Sequence, residues 1–369
     1  MSESTIEQTV ARLIRQDVQR IEAYPVPDAS GLIKLDAMEN PYSWPEPLLR
    51  SLQERVLSVA MNRYPDPRAP ALTDALYDAF GIDRRWRILL GNGSDELIQL
   101  LIEAVAAPGA SVMAPVPTFV MYKTIAEFLQ VEFHGVDLAA DFSLDVEAMC
   151  TLIRAHQPAL VFLACPNNPT GNLFDRAAIE TIIKESHGLV VIDEAYSPFA
   201  SDQHLDLLAR FPNVVVMRTL SKLGLAGLRV GYLVGDPRWI SEIDKLRLPY
   251  NIGVLTQAVT ELALRHFDVF EAQTARIRED RARLAEQLAA DPRLRCYPSD
   301  ANFLVVNVPA GQAAAIHAAM RDQGGVLIKK LDGMHPLLAD CLRLTIGTPE
   351  ENTVMRAALG HALDALQSS

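Results

Sequence analysis

The sequence predicts an α/β protein, with a mostly parallel seven-stranded sheet covered by helices and a smaller α+β domain. Two observations carry this prediction. Seven short apolar runs alternate with amphipathic helical segments between residues 87 and 234, which is typical of a mostly parallel sheet buried on both faces. The length of 369 residues also suits two domains, at roughly 100–200 residues each.

The elements follow in chain order. Helical spacing of apolar residues covers residues 5–22 and 48–60. The predicted strands are Arg87–Leu90, Ser111–Ala114, Val131–Val136, Ala159–Ala164, Leu189–Ile192, Val214–Met217 and Val230–Val234. The helices between them are Asp95–Val105, Phe119–Leu129, Val146–His156 and Arg176–Glu185. A helical stretch, Thr256 to Ala289, leads to strands at Asn302–Val308, Gly325–Ile328 and Leu342–Ile346 and helices at Gln312–Gln323 and Pro349–Leu366.

These elements predict three parts of the chain. Residues 1–45 form an N-terminal segment that joins the small domain, and residues 46–260 form the large domain. Residues 261–369 contain the interdomain helix and the small C-terminal α+β domain.

Composition excludes several classes of function. The chain has 34 Lys and Arg residues against 46 Asp and Glu residues, a net charge of −12, which argues against nucleic acid or an anionic membrane as a partner. The longest uncharged stretch, from Ala104 to Tyr122, contains three prolines and so cannot be a continuous membrane helix. An anionic substrate must therefore be held by a few locally placed cations.

The N-terminal residues and the cysteines indicate a cytoplasmic protein. Glu3 and Glu7 stand where a signal peptide would need basic and then apolar residues. The four cysteines are scattered, without paired spacing or a nearby histidine cluster. We therefore expect reduced thiols rather than disulfides, and no metal site.

Candidate chemistry lies directly after the predicted strands, because ligands bind beyond the carboxyl ends of strands in such sheets. The turn Gly91–Glu96 opens a helix whose free N–H groups suit a phosphate. A capped strand–turn–helix without a ligand explains the same residues. Likewise, Asn167–Gly171 after the fourth strand is a strong turn sequence whether or not it binds anything.

Two charged residues follow the next strands. Asp193 could bind a metal, act as a base, pair with a cation or simply be solvated. Lys222 could be a surface charge, but small and apolar neighbours, Leu223 to Gly227, suit a desolvated lysine that acts as a nucleophilic amine. A phosphate cradle, a carboxylate, a lysine and Arg229 without metal ligands together suit pyridoxal phosphate, which forms a Schiff base with lysine.

The motifs resemble those of the fold-type I pyridoxal-phosphate aminotransferases, and within them the histidinol-phosphate aminotransferases. The segments that carry the resemblance are Asn167–Gly171, Asp193–Tyr196, Ser221–Lys222, Arg229, Met38–Pro41, Tyr64–Pro67, Gly93–Glu96, Arg218–Lys222, Leu225–Arg229 and Leu342–Thr348. They cover almost the whole chain in order. The large domain would then be the cofactor-binding domain of that fold, and the protein a cytoplasmic homodimer in histidine biosynthesis.

The resemblance implies a role for each matching residue toward the cofactor. Lys222 would form the Schiff base and shuttle a proton, Asp193 would keep the pyridine nitrogen protonated, and Phe119 would stack on the ring. Asn168 and Tyr196 would bond the phenolate oxygen, and Tyr196 would join Lys222 and Asp193 as a catalytic residue. The phosphate would be held by Ser94, Asp95, Ser221 and Arg229, and by Tyr64 from the other subunit.

The resemblance also implies substrate contacts. Arg343 would bind the carboxylate of glutamate and, in the other half-reaction, the phosphate of L-histidinol phosphate, because a guanidinium grips either group bidentately. Tyr24 and Asn40 are further candidates. Some relatives carry a second arginine after the Gly325–Ile328 strand, where this chain has Lys329 and Lys330. Lys329 is therefore the candidate for the second anion contact.

The implied reaction exchanges an amino group between L-histidinol phosphate and 2-oxoglutarate, giving imidazole acetol phosphate and L-glutamate. Two alternatives share the fold: an aromatic amino-acid aminotransferase and a threonine-phosphate decarboxylase. A transcription regulator on this fold would need a DNA-binding domain ahead of it. We expect none, because the roughly 40 residues before the first motif are too few for such a domain.

Overall fold

The structure of the protein is a computed structural model that describes residues 3–23 and 26–367. The strands are β1 (Ile33–Lys34), β2 (Arg87–Asn92), β3 (Ser111–Val116), β4 (Glu132–Asp137), β5 (Leu160–Ala164), β6 (Leu189–Asp193), β7 (Val214–Thr219), β8 (Val230–Gly235), β9 (Arg295–Cys296), β10 (Phe303–Asn307), β11 (Val326–Leu327), β12 (Lys329–Lys330) and β13 (Cys341–Thr345).

The helices alternate with these strands through most of the chain. They are α1 (Glu3–Leu13), α2 (Gln16–Gln19), α3 (Glu46–Leu57), α4 (Pro70–Ala79), α5 (Ser94–Val105), α6 (Met121–Phe128), α7 (Val146–His156), α8 (Arg176–Glu185), α9 (Leu207–Arg210), α10 (Pro237–Ile243), α11 (Val254–Arg265), α12 (Phe267–Ala289), α13 (Ala313–Asp322) and α14 (Pro349–Gln367). Among the described residues, no helix is both long and apolar enough to cross a membrane.

The large sheet has seven strands in the order β2-β8-β7-β6-β5-β3-β4. Only β8 runs antiparallel to its neighbours, so the carboxyl ends of the other six strands and the start of β8 meet at one edge. The predicted α/β class with a mostly parallel seven-stranded sheet is confirmed. Each of the seven predicted runs became one of these strands. For six of them the reason is that continuous burial selects continuous apolar sequence, whereas the edge strand β4 is mostly exposed.

Apolar side chains cover both faces of this sheet. On one face, α5 and α6 pack over Val191 and Phe162 in one buried cluster. On the other face, α7 and α8 pack over Val190 and Ile192 in a second cluster that continues into the C-terminal part. Alternate residues of β6 therefore point into different clusters.

The C-terminal part holds the smaller sheet, in which β13 lies between β12 and β10 and β9 pairs with β10. The N-terminal segment joins it because β1 pairs in parallel with β11, Ile33 opposite Val326. The boundaries at residues 45 and 260 stay a prediction.

Several helical regions differ from the sequence prediction, which did not include α9 and α10. The expected helix over residues 5–22 is two helices, since Arg15 has an extended ψ of 139°. The stretch 256–289 is also two helices, because His266 leaves the helical region with ψ 39°. Helix α4, which was not expected, begins at Pro70, a favoured first residue of a helix.

Candidate active site

Nine of the predicted cofactor residues line one cavity of about 360 Å³ at the carboxyl edge of the large sheet. They are Ser94, Asp95, Phe119, Asn168, Asp193, Tyr196, Ser221, Lys222 and Arg229. They meet because each lies at or after the carboxyl end of a strand or, for Arg229, precedes the antiparallel strand β8.

An anion cradle lies at the start of α5. Gly93 has φ +82°, and a Cβ there would lie 2.5 Å from the Nη2 atom of Arg229, so glycine allows the guanidinium to approach the backbone. Arg229 also donates to the Oγ of Ser221 at 3.4 Å and lies 3.7 Å from the Asp95 carboxylate. Hydroxyl groups, a cation and the N-terminus of a twelve-residue helix together suit a phosphate.

Lys222 lies in a π-helical turn, Ser221–Leu225, directly after β7. Its Nζ donates to the carbonyl of Ala37 at 3.0 Å and lies 5.9 Å from the centre of the Tyr196 ring. Burial, with the positive charge of Arg343 nearby, lowers the pKa of Lys222 from 10.5 to about 8. The amine is therefore much easier to deprotonate than a surface lysine.

Asp193 also lines the cavity. Its side chain is buried, and its two oxygens accept from the Tyr122 hydroxyl at 2.5 Å and the backbone N–H of Ala195 at 3.0 Å. Burial raises the pKa of Asp193 to about 6, although the hydrogen bond from Tyr122 opposes this change. A buried carboxylate of this kind gains from a cationic partner in the cavity.

Asn168 and Tyr196 line the same cavity. The Oδ1 of Asn168 accepts from Arg343 at 2.7 Å, and the Tyr196 hydroxyl contacts the sulfur of Met38 at 3.2 Å. Burial raises the pKa of Tyr196, so this phenol stays protonated and can donate. The neighbouring Asn167 serves the fold instead, because its amide binds Pro117, Thr118 and Thr170.

Arg343 and Lys329 are neighbours on the small sheet. They lie directly opposite each other on β13 and β12, so their side chains share one face. The Nη2 of the buried Arg343 donates to the carbonyl of Asp36 at 2.9 Å. Burial and the charge of Arg343 lower the pKa of the half-buried Lys329. Arg343 thus contacts Asn168, a residue of the cavity lining, and Lys329 lies next to Arg343, although neither cation lines the cavity itself.

Among the described residues predicted for the site, Arg343, Lys329, Asn40 and Tyr64 do not line this cavity. Asn40 lines a separate cavity of about 280 Å³, and its amide already binds the Leu223 carbonyl and Gln273 at 2.9 and 3.0 Å. Tyr64 is 82% exposed and stacks on Tyr250, with ring centres 4.6 Å apart. Tyr24 lies outside the described residues.

The structure also adds residues that the sequence analysis did not single out. Met38 and Thr219 line the cavity, and Tyr122 holds Asp193 from below. Met38 stands in a segment that carried the family resemblance, so the sequence contained a signal for it. For Tyr122 the only signal is a tyrosine three residues after Phe119, on the apolar face of α6.

Comparisons with known proteins agree with this geometry. A model of the aminotransferase class I and II family matches residues 30–359. The chain is 56% identical over 352 residues to histidinol-phosphate aminotransferase 1 of Burkholderia lata, covering 95% of this chain and 98% of that protein. It is 49% identical over 351 residues to the histidinol-phosphate aminotransferase of Chromobacterium violaceum, covering 95% and 98%.

Solved structures give the same result. The histidinol-phosphate aminotransferase of Sinorhizobium meliloti, solved in complex with pyridoxal-5'-phosphate, superposes with a TM-score of 0.86 at 25% identity, over 96% of this chain and 98% of that chain. The L-threonine-O-3-phosphate decarboxylase of Porphyromonas gingivalis shares the fold at a TM-score of 0.76 and 20% identity, over 90% and 100%. The chain belongs to the aminotransferase class I and II family and, within it, to the histidinol-phosphate aminotransferases.

Proposed function

We propose that the protein is a pyridoxal-phosphate-dependent aminotransferase of histidine biosynthesis. It exchanges the amino group between L-histidinol phosphate and 2-oxoglutarate, giving imidazole acetol phosphate and L-glutamate. The observation that carries the proposal is one cavity holding an anion cradle, an easily deprotonated Lys222 and the buried Asp193. The 56% identity to an enzyme of this name supports the substrate.

The residues of the cavity fit pyridoxal phosphate. The cradle of Ser94, Ser221 and Arg229 would hold the phosphate, and the backbone N–H of Asp95 at the start of α5 would add a donor. Phe119 would stack on the ring, while Asn168 and Tyr196 would bond its phenolate oxygen. When bound, pyridoxal phosphate supplies an aldehyde that binds amines covalently and a pyridinium ring that accepts electrons.

The chain's own groups do the proton chemistry. Because the pKa of Lys222 is about 8, a sizeable share of this amine is neutral near neutral pH, and it takes the proton from the α-carbon of the substrate. Asp193 would hold the proton of the pyridine nitrogen in place, and this positive partner would make the negative charge of the carboxylate favourable inside the cavity. Tyr196, which stays protonated, donates a hydrogen bond and orients the bound group.

Arg343 and Lys329 would recognise the substrates. Arg343 binds the carboxylate of glutamate or 2-oxoglutarate in one half-reaction and the phosphate of histidinol phosphate in the other. Lys329, opposite Arg343 on the neighbouring strand, adds a point charge where relatives have a second arginine. Replacing Arg343 with alanine should weaken both half-reactions. If steady-state kinetics shows a loss with only one substrate pair, the dual role is wrong.

The protein would act as a homodimer. Large apolar residues are exposed around Tyr64, including Leu57, Met61 and Leu248, and such a group of side chains is typical of a protein interface. In the dimer, Tyr64 would reach the cofactor phosphate of the partner subunit. The four free thiols support a cytoplasmic location, where cysteines stay reduced. A sedimentation experiment that gave only monomers would contradict the dimer.

The test of the reaction is the visible absorption spectrum of the purified enzyme with added pyridoxal phosphate. We expect a cofactor band that is lost on addition of L-histidinol phosphate but not of phenylalanine or O-phosphothreonine. Loss with phenylalanine alone would indicate an aromatic amino-acid aminotransferase, and carbon dioxide release from O-phosphothreonine a decarboxylase. The absence of a band would contradict the cofactor assignment.

Lys222→Ala supplies the matched control for that spectrum. Without the amine, turnover should be abolished, because no other described group in the cavity offers a neutral amine. The thermal melting of the apoenzyme should remain that of the wild type. Full activity in this variant would contradict the assignment of Lys222.

A further inference from the structure

Tyr122 places its hydroxyl group against the carboxylate of Asp193. The tyrosine is fully buried on α6 and donates to Oδ2 of Asp193 at 2.5 Å. The other oxygen, Oδ1, accepts from the backbone N–H of Ala195 at 3.0 Å. Tyr122 does not line the cavity itself, so it cannot reach a substrate there.

Aromatic packing fixes the position of this hydroxyl. The ring of Tyr122 stacks on Phe162, with centres 4.5 Å apart and planes 11° apart. Phe119 meets the same ring edge-on at 5.7 Å. The ring of Tyr122 is therefore in contact with both of the other rings. Phe119, which is proposed to stack on the cofactor, thus packs directly against Tyr122, which binds Asp193. Because the Tyr122 ring is packed on two sides, its hydroxyl group loses little conformational entropy when it donates a hydrogen bond.

We propose that Tyr122 is a positioning residue, whose O–H group keeps the Asp193 carboxylate ionised and oriented toward the pyridine nitrogen of the cofactor. This inference rests on the proposed function. It concerns a residue that contacts neither substrate nor cofactor and that acts through Asp193.

The charges around Asp193 make this donor necessary. Burial disfavours the ionised carboxylate, and the negative charges of Asp95 and Glu194 add to that effect. The hydroxyl of Tyr122 and the N–H of Ala195 act in the opposite direction. The Ala195 donor belongs to the backbone and cannot be removed by replacing a side chain. The hydroxyl of Tyr122 is therefore the donor of these two that mutagenesis can test.

The first test is Tyr122→Phe in the cofactor-loaded enzyme. The variant keeps the ring and its stacking but removes a hydrogen bond to a charged group. We expect kcat to fall about 10- to 100-fold, as loss of such a bond does, while KM for both substrates stays unchanged. The acid limb of the kcat profile and the pH titration of the visible cofactor band should move together to higher pH, because Asp193 protonates more easily.

Tyr77→Phe is the matched control. Its hydroxyl donates to the Trp86 carbonyl at 2.7 Å, and its side chain lies outside the cavity. The same atom is removed, but the cofactor band and the kcat profile should keep their wild-type pH dependence.

A double-mutant cycle with Asp193→Asn separates positioning from a structural role. If Tyr122 acts through Asp193, Tyr122→Phe should cause no further loss of kcat in the Asp193→Asn background. An equal loss in both backgrounds, or wild-type kcat and pH dependence in Tyr122→Phe, would overturn the inference. If Tyr122→Phe does not fold, Phe162→Leu is the second variant, because it loosens the packing of the Tyr122 ring but keeps the hydroxyl. It should move the acid limb of the kcat profile to higher pH by a smaller amount. An unchanged kcat profile would overturn the inference. A wild-type enzyme without a cofactor band would instead refute the proposed function.

Discussion

Asp193 and Glu194 are adjacent in sequence and both are buried, but they lie on opposite faces of the large sheet in different environments. Asp193 lies on the side of the α5–α6 cluster, and its side-chain partner is the neutral Tyr122. Glu194 lies on the other side, where it pairs with Arg218 at 2.6 Å and with the Nδ1 of His204 at 3.1 Å. In the part of the chain that the structure describes, Asp193 has no cation beside it, whereas Glu194 has a buried arginine.

The pKa values of the two carboxylates move in opposite directions for this reason. Burial raises the pKa of Asp193 to about 6. Burial acts on Glu194 as well, but the charge of Arg218 and the bonds from His204 reverse it and lower its pKa. The comparison teaches that burial alone does not decide the charge of a group. The structure keeps a cation away from Asp193, which leaves its charge available to a cofactor, and gives one to Glu194, which joins β6 to β7.

The largest expected effect is on stability, in Glu194→Gln. This change leaves Arg218 as a buried charge without its carboxylate, so we expect the free energy of unfolding to fall by about 3–5 kcal/mol, measured by urea unfolding. Glu46→Gln, which breaks the exposed pair with Arg50, is the control and should cost less than about 1 kcal/mol. Equal losses in the two variants would contradict the distinction drawn here.

The next effect is on catalysis, in Asp193→Asn. Removing a preorganised charge from an active site typically reduces kcat about 10²- to 10³-fold. The apoenzyme should be no less stable than the wild type, because the amide carries no buried charge. Steady-state kinetics and thermal melting measure the two quantities. A variant that loses stability but keeps its kcat would assign Asp193 to the fold rather than to the site.

The pH dependence of stability sharpens the comparison. The pKa of Asp193 is about 6 in the folded apoenzyme, above the unfolded value of about 3.9. Between these values the unfolded chain releases a proton that the folded chain keeps. Raising the pH from about 4 to about 6 should therefore cost wild-type apoenzyme about 2 kcal/mol relative to Asp193→Asn. Unfolding curves of the two proteins across this range measure it, and parallel curves would contradict it.

Glu194 should show the opposite sign. Because its folded pKa is lowered, its contribution to stability is present above about pH 4.5 and is lost as the pH falls through the folded value. The stability difference between wild type and Glu194→Gln should therefore shrink on acidification. A difference that grows in acid would contradict the pairing of Glu194 with Arg218.

The smallest expected effect on stability is at Gln203, which contacts Arg218 of the buried pair. Gln203 accepts from the Nη2 of Arg218 at 2.8 Å but is itself exposed. Gln203→Ala should lower the free energy of unfolding by only about 0.5–1.5 kcal/mol and leave kcat unchanged. A loss as large as that of Glu194→Gln would mean that Gln203, and not the carboxylate, balances the arginine.

Much of the fold and most of the site were predictable from local sequence. Strands buried on both faces demand unbroken apolar runs, which made β3 and β5 to β8 recognisable in the sequence, whereas the edge strand β4 is mostly exposed. Residues directly after those strands share one edge of the sheet, so Lys222 and Asp193 could be brought together without a structure. The break at His266 could not be found in this way, because the residues on both sides of it have helical spacing.

Asn40 and Tyr122 show the same limit within the site. The motif around Asn40 marks a segment near the cavity, but the side chain binds Leu223 and Gln273, more than 180 residues along the chain. Tyr122 stands 71 residues from the carboxylate that it holds. Nothing in its own helix shows that its hydroxyl has a buried acceptor.

The sequence by itself determined which residue types stand at the strand ends, and hence the class of fold and the chemistry available there, because strand burial and strand-end position are local properties. Only the tertiary structure decided which charged groups meet. Asp193 ends β6 and Glu194 directly follows it, so the alternation of a strand sends the two side chains to opposite faces. The partners that they find there, Tyr122 from α6 and Arg218 from β7, depend on how distant segments pack. The charge of a buried carboxylate depends on such partners and not on its neighbours in sequence.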